Sequence, residues 1–85
     1  MTIRILVAED EENIRLALKT IVRKSLVCDE VVACENGKEA WDKLQAESFT
    51  MVISDWNMPL MTGFELLEAM RQNEKTKPEG VNSFV

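Results

Sequence analysis

The stretch Met51–Gly63, "MVISDWNMPLMTG", decides how the chain folds. It begins as a buried strand, with Met51, Val52 and Ile53 apolar and partly β-branched. It then places a carboxylate, Asp55, where the apolar run stops, turns at Met58-Pro59, and ends at Thr62-Gly63. A lone acid at the mouth of a core strand needs a reason, and the rest of the chain supplies one.

Two more strand-then-helix units precede this one. "IRILVA", Ile3 to Ala8, is nearly continuous in Ile, Leu and Val, the pattern of a strand covered on both faces. The helix after it carries Ile14, Ala17, Leu18, Ile21, Val22 and Ser25 on one side, at helical spacing. Arg15, Lys19, Arg23 and Lys24 fall largely outside that stripe. "CDEVVAC", Cys28 to Cys34, predicts a second strand. Asn36 predicts a helix N-cap, with Glu39 completing a capping box and Ala40, Trp41 and Leu44 facing inward. The third strand is Thr50 to Ser54. Thr62 and Glu65 predict another capping box, before a helix with Leu66, Leu67 and Met70 as its apolar stripe. From Asn73 the pattern dissolves into "NEKTKPEG", and "VNSFV" is a short stub. Strands alternating with helices imply right-handed βαβ crossovers and a parallel sheet with helices on both faces. The expected boundaries are 1–74 for the α/β unit and 75–85 for a C-terminal loop and apolar stub.

Bulk properties narrow the function classes. The 85 residues make one small domain, 46 % hydrophobic and 29 % charged, with a net charge of −5. Basic residues form no stripe able to track a phosphate backbone, so direct nucleic-acid binding is not expected. No apolar run approaches a membrane span and the N-terminus does not read as a signal peptide, so no membrane association and a cytoplasmic location are expected. Histidine is absent, which excludes His ligands and His bases within the chain. Cys28 and Cys34, if both on one strand, lie ~20 Å apart at strand rise. That is too far for a disulfide, so they read as two small buried residues.

The loops at the C-terminal ends of parallel strands form the ligand edge of such a sheet. If the first and third strands are neighbours, Glu9 and Asp10 converge there with Asp55. Three carboxylates in one cleft repel one another, and a hard divalent cation removes the conflict. Mg²⁺ takes oxygen ligands of this kind, and the backbone carbonyl of Asn57 can add another. An Asp carboxylate beside a metal-held phosphoryl group is a nucleophile that yields an aspartyl phosphate. Taken singly, each piece has a plainer reading: "EDEE" (Glu9 to Glu12) complements a helix dipole, and Asp55 is a turn former. Their joint spacing in one α/β chain favours the chemical reading.

The sequence resembles the receiver domain of bacterial two-component response regulators. "ILVAEDEE" is similar to that family's first strand and acidic pair. "VISDWNMPLMTG" is similar to its phosphoacceptor loop, and "DWNMP" to the loop of chemotaxis-type single-domain regulators. The resemblance covers Ile3 to about Gln72. It implies a flavodoxin-like fold of strand order 2-1-3-4-5, with three of the five βα units present here. It implies that Asp55 is phosphorylated, and that Glu9, Asp10, Asp55 and the Asn57 carbonyl surround Mg²⁺, Asp10 being the more direct of the acidic pair. The implied phosphodonor is a histidine kinase or phosphotransfer protein, and the chain is not itself an enzyme. The family's Ser or Thr at the end of the fourth strand and Lys at the end of the fifth have no matching position. Lys75, Lys77 and Ser83 are not assigned those roles.

That absence leaves an alternative, a receiver-shaped interaction or oligomerisation module without efficient phospho-switching. An Asp-nucleophile phosphatase is disfavoured because Asn57 stands where such an enzyme needs a second Asp as general acid. The apolar third strand is expected as an open sheet edge and part of the first helix's stripe as uncovered, so a homo-oligomer is expected. It would form through the third-strand edge or by C-terminal exchange with a hinge at Lys75–Gly80.

Overall fold

The computed structural model describes residues 3–25 and 28–73, together with the backbone of 83–84. In chain order the elements are β1 (Arg4–Ala8), α1 (Glu12–Ser25), β2 (Glu30–Cys34), α2 (Gly37–Ala46), β3 (Met51–Ser54), α3 (Gly63–Gln72) and β4 (Ser83–Phe84). The sheet has the order β2-β1-β3-β4, and all its pairings are parallel. This is the doubly wound flavodoxin-like arrangement, with three βα units as expected. The central β1 is buried on both sides: Ile5, Leu6, Val7 and Ala8 have almost no exposed surface.

Strand alternation divides the core into two layers. Leu6, Ala8, Cys34 and Val52 point to one face and pack with Ala40 and Leu44 of α2 and Leu66 and Met70 of α3. Ile5, Val7 and Val31 point to the other, where Val22 of α1 closes over them and Leu18, Met51 and Ile53 are half-buried. Each large aliphatic side chain taken fully from water here contributes roughly 1.5–3 kcal/mol.

Several boundaries differ from the sequence reading. The second strand begins at Glu30, in register with Arg4, the first residue of β1. Cys28 therefore precedes the strand and is half-buried, while Cys34 is buried; both thiols are free. Asp29 is used as a tie instead, its Oδ2 accepting the Ile3 N–H at 2.6 Å. At α2, Asn36 caps the Glu39 N–H at 2.8 Å, but the Glu39 carboxylate accepts from Glu35, one residue before the cap. The Thr62–Glu65 box is complete in both arms. The edge of β3 is not fully open: Met51 pairs with Ser83 and Val52 with Phe84. The 74/75 boundary, Lys75, Lys77 and the Lys75–Gly80 hinge lie outside the described residues. On α1 the stripe is split, with Val22 buried while Ile14 and Ile21 are 48 % and 57 % exposed.

Candidate functional site

Parallel pairing brings the ends of β1 and β3 together. Ala8 is in register with Ser54, so the residues that follow emerge side by side. Backbone bonds extend the alignment one step past the strands: Asp55 N–H donates to the Ala8 carbonyl at 2.9 Å, and Glu9 N–H to the Cys34 carbonyl at 3.0 Å. Glu9, Asp10 and Asp55 each present a carboxylate oxygen within 4.8 Å of the others. Glu9 is buried, Asp55 half-buried and Asp10 exposed. The third strand thus ends on an acid because β1 delivers two more acids to the same place.

The electrostatics of the cluster are those of crowded like charge. The Glu9 carboxyl is raised above its ordinary value, first by burial and then by the charges of Asp55 and Asp10. The Glu11 N–H, donating to Glu9 Oε2 at 3.1 Å, works in the opposite sense. Arg15 does not neutralise the site. Its Nη1 donates to the backbone carbonyls of Glu9 and Asp10, at 3.1 and 3.4 Å. It holds the main chain of the acidic pair through these carbonyls rather than through the carboxylates. Among the described residues none of the three carboxylates has an ion-pair partner. An all-oxygen donor set with uncompensated charge fits a hard divalent cation such as Mg²⁺.

The loop after Asp55 is fixed from several sides. One Asp55 oxygen, Oδ1, accepts the Trp56 N–H at 2.9 Å, and Ser54 Oγ donates to the Asp55 carbonyl at 2.9 Å. Met58 is buried and anchors the loop in the core. Gly63 N–H donates to the Trp56 carbonyl at 2.9 Å, clamping the start of α3 to the acceptor turn. Gly37, at the start of α2, lies against the Met61 carbonyl so closely that no β-carbon fits between them. Trp56 and Phe64 meet edge-to-face at 5.7 Å and are both about half-exposed. Asn57 lies in the exposed part of the turn.

The structure brings together the three acids singled out in the sequence. Arg15 and Gly37 were not singled out. Arg15 follows the acidic pair by little more than one helical turn, the one local hint of its role. Gly37 directly follows a helix cap, a place where many residues would serve.

A parallel α/β sheet with an acidic pocket at the carboxyl ends of its two central strands defines a class of ligand-binding doubly wound domains. Residues 5–80 match the response regulator receiver domain, and the chain belongs to that family. It is 37 % identical over 75 residues to the chemotaxis protein CheY1 of Helicobacter pylori, covering 87 % of this chain and 60 % of that protein. It is 38 % identical over 73 residues to a CheY homolog of Campylobacter jejuni, covering 85 % and 55 %. Among solved structures it resembles CheY4 of Vibrio cholerae, with a TM-score of 0.79 and 28 % identity over 99 % of this chain and 85 % of that one. It also resembles TrrA of Thermotoga maritima, solved in complex with Mg²⁺-BeF, with a TM-score of 0.79 and 29 % identity over 100 % and 85 %. The chain therefore spans about 60 % or less of the curated relatives' length.

Proposed function

We propose that the chain is the phosphoacceptor module of a two-component phosphorelay, with Asp55 as the residue modified. The observation that carries this reading is the convergence of Glu9, Asp10 and Asp55 within 4.8 Å at the mouth of β1 and β3. The Trp56 N–H holds Oδ1 of Asp55, which orients the carboxylate and leaves Oδ2 as the attacking atom. Oδ2 forms a bond to phosphorus as the bond from phosphorus to the donor breaks. The electron pair leaves with the donor, an imidazole of a histidine kinase or phosphotransfer protein, or the acetate of acetyl phosphate. Glu9, Asp10, Asp55 and the backbone carbonyl of Asn57 would hold Mg²⁺. Bound there, the ion offsets the combined negative charge of the carboxylates and the phosphoryl oxygens. The chain accepts one phosphoryl group, and its output is a change in what it binds. No described helix is long and apolar enough to cross a membrane, and a cytoplasmic place beside the donor fits this reading.

The test is intact-protein mass after acetyl phosphate with Mg²⁺, with and without chelator, for the native chain and Asp55→Asn. The gain of one phosphoryl group should need both Asp55 and the metal. Equal modification of Asp55→Asn would remove the assignment. No modification of the native chain, with beryllofluoride also failing to bind, would leave the interaction-module reading in its place.

A further inference from the structure

We propose that Arg15 is a positioning residue for the metal: although itself a cation, it strengthens Mg²⁺ binding by fixing the main chain from which Asp10 projects. The inference rests on the phosphoacceptor reading above. β1 ends at Ala8 and α1 begins at Glu12, so Glu9, Asp10 and Glu11 carry the turn between them. Glu9 is held twice. Its N–H donates to the Cys34 carbonyl at 3.0 Å, and its Oε2 accepts the Glu11 N–H at 3.1 Å. Glu11 is tied to the helix, its carboxylate accepting the Asn13 and Ile14 N–H groups, each at 3.2 Å. Asp10 lies between them, exposed, with a carboxylate oxygen within 4.8 Å of those of Glu9 and Asp55.

The two carbonyls that Arg15 reaches flank the Asp10 α-carbon. The Glu9 carbonyl belongs to the peptide plane before it and the Asp10 carbonyl to the plane after it. One nitrogen, Nη1, donates to both, at 3.1 and 3.4 Å. Its two hydrogens point in directions fixed by the planar guanidinium, so the bonds set the two planes relative to each other. That relation aims the Asp10 side chain. Arg15 is half-buried and sits on the first turns of α1, a rigid frame. The clamp closes within one βα unit. Coulomb's law alone gives the opposite expectation, since removing a positive charge beside a cation site should tighten it. A partly exposed charge is screened, however, whereas groups that orient a metal ligand from behind are commonly worth about tenfold or more in affinity. Positioning is the larger effect.

The experiment uses the 85-residue chain. Arg15→Met keeps an unbranched stem and a good helix former but removes the donor. Mg²⁺ titration followed by Trp56 fluorescence should show the affinity lowered by about tenfold. In the metal-free protein, the Glu11 amide should exchange its hydrogen faster, while β1 amides and the urea midpoint stay close to native. An unchanged or tighter affinity overturns the proposal. So does a loss of affinity accompanied by faster exchange throughout β1 and a lower urea midpoint, which would make Arg15 a residue of general stability. If Arg15→Met does not fold, Arg15→Lys decides. Its stem is too short to keep both bonds, so affinity should fall with the fold retained, and native affinity there overturns the proposal. If the native chain itself shows no Mg²⁺ response while beryllofluoride and acetyl phosphate also leave it unmodified, the phosphoacceptor reading fails and the role of Arg15 toward the metal fails with it. A native response that Arg15→Met leaves intact removes the role of Arg15 alone.

Discussion

Gly63 lies so close to Asp55 that a β-carbon on it would stand 2.5 Å from the Asp55 carbonyl oxygen and 2.9 Å from the Trp56 α-carbon. The contact is backbone against backbone, so no side-chain rotation relieves it. The Gly63 N–H bond to the Trp56 carbonyl holds the two segments at that distance. Gly63→Ala must move either the start of α3 or the acceptor turn. We expect a loss of about 1–3 kcal/mol in stability, read from urea unfolding. Because the turn carries Asp55, phosphorylation by acetyl phosphate should slow as well. A variant as stable and as readily modified as the native chain would show that the turn is not held as tightly as the geometry indicates.

Metal binding should separate the acidic pair. Glu9 is buried and its Oε2 is already engaged by the Glu11 N–H, whereas Asp10 is exposed and shorter. Asp10→Ala should therefore weaken Mg²⁺ binding more than Glu9→Ala, with Trp56 fluorescence as the readout. Removing Glu9 also removes part of the like-charge conflict, which further limits its effect. Identical titrations of both variants and the native chain would count against a metal site at these residues.

What the sequence made legible was what is local or periodic. The Thr62–Glu65 box reads directly because both of its bonds close within four residues. β1 reads as a covered strand because Ile5, Leu6 and Val7 admit no solvent face. The acidic cluster follows once β1 and β3 are neighbours. Features set by a distant partner were not legible. The start of β2 depends on where β1 begins, so Cys28 falls before it. The Gly37 constraint depends on Met61, twenty-four positions along the chain. The short β4 pairing depends on the exposed edge of β3 rather than on any strand pattern of its own.

Arg4 closes the opposite end of the sheet and should set part of the acid stability. Its Nε donates to Glu30 at 2.7 Å, its Nη2 to Glu47, and its Nη1 to the Ser48 carbonyl at 3.0 Å. The guanidinium also sits 4.7 Å over the ring of the buried Phe49. The bond from Arg4 holds the Glu47 carboxyl below its ordinary value. A depressed carboxyl contributes stability that is present above the unfolded value and is lost as pH falls through the folded one. Arg4 itself stays ionised throughout. Arg4→Met should lower stability at neutral pH by about 1–2 kcal/mol. It should also flatten the decline below about pH 4.5, the ordinary carboxyl value. Urea midpoints from pH 3 to 7 test both; parallel curves for the two proteins would contradict the linkage.

The turn that carries the acceptor holds one strained residue. Leu60 has φ of 69°, the left-handed region, and its side chain is 80 % exposed. That conformation costs a residue with a β-carbon roughly 1–2 kcal/mol, and so exposed a side chain recovers little of it by burial. Asn tolerates the region because its short polar side chain bonds locally. Glycine also adopts it freely but gives up more unfolded-chain entropy. Leu60→Asn should therefore raise stability by about 0.5–1 kcal/mol, and Leu60→Val, branched at the β-carbon, should lower it. Differential scanning calorimetry at neutral pH distinguishes the signs. Asp55 lies at the strand end, fixed by Ala8 and Trp56 rather than by Leu60, so acetyl phosphate should modify Leu60→Asn at close to the native rate. A stability gain with a loss of modification would instead mean that the left-handed turn helps to hold the acceptor geometry, and that its strain is retained for the chemistry.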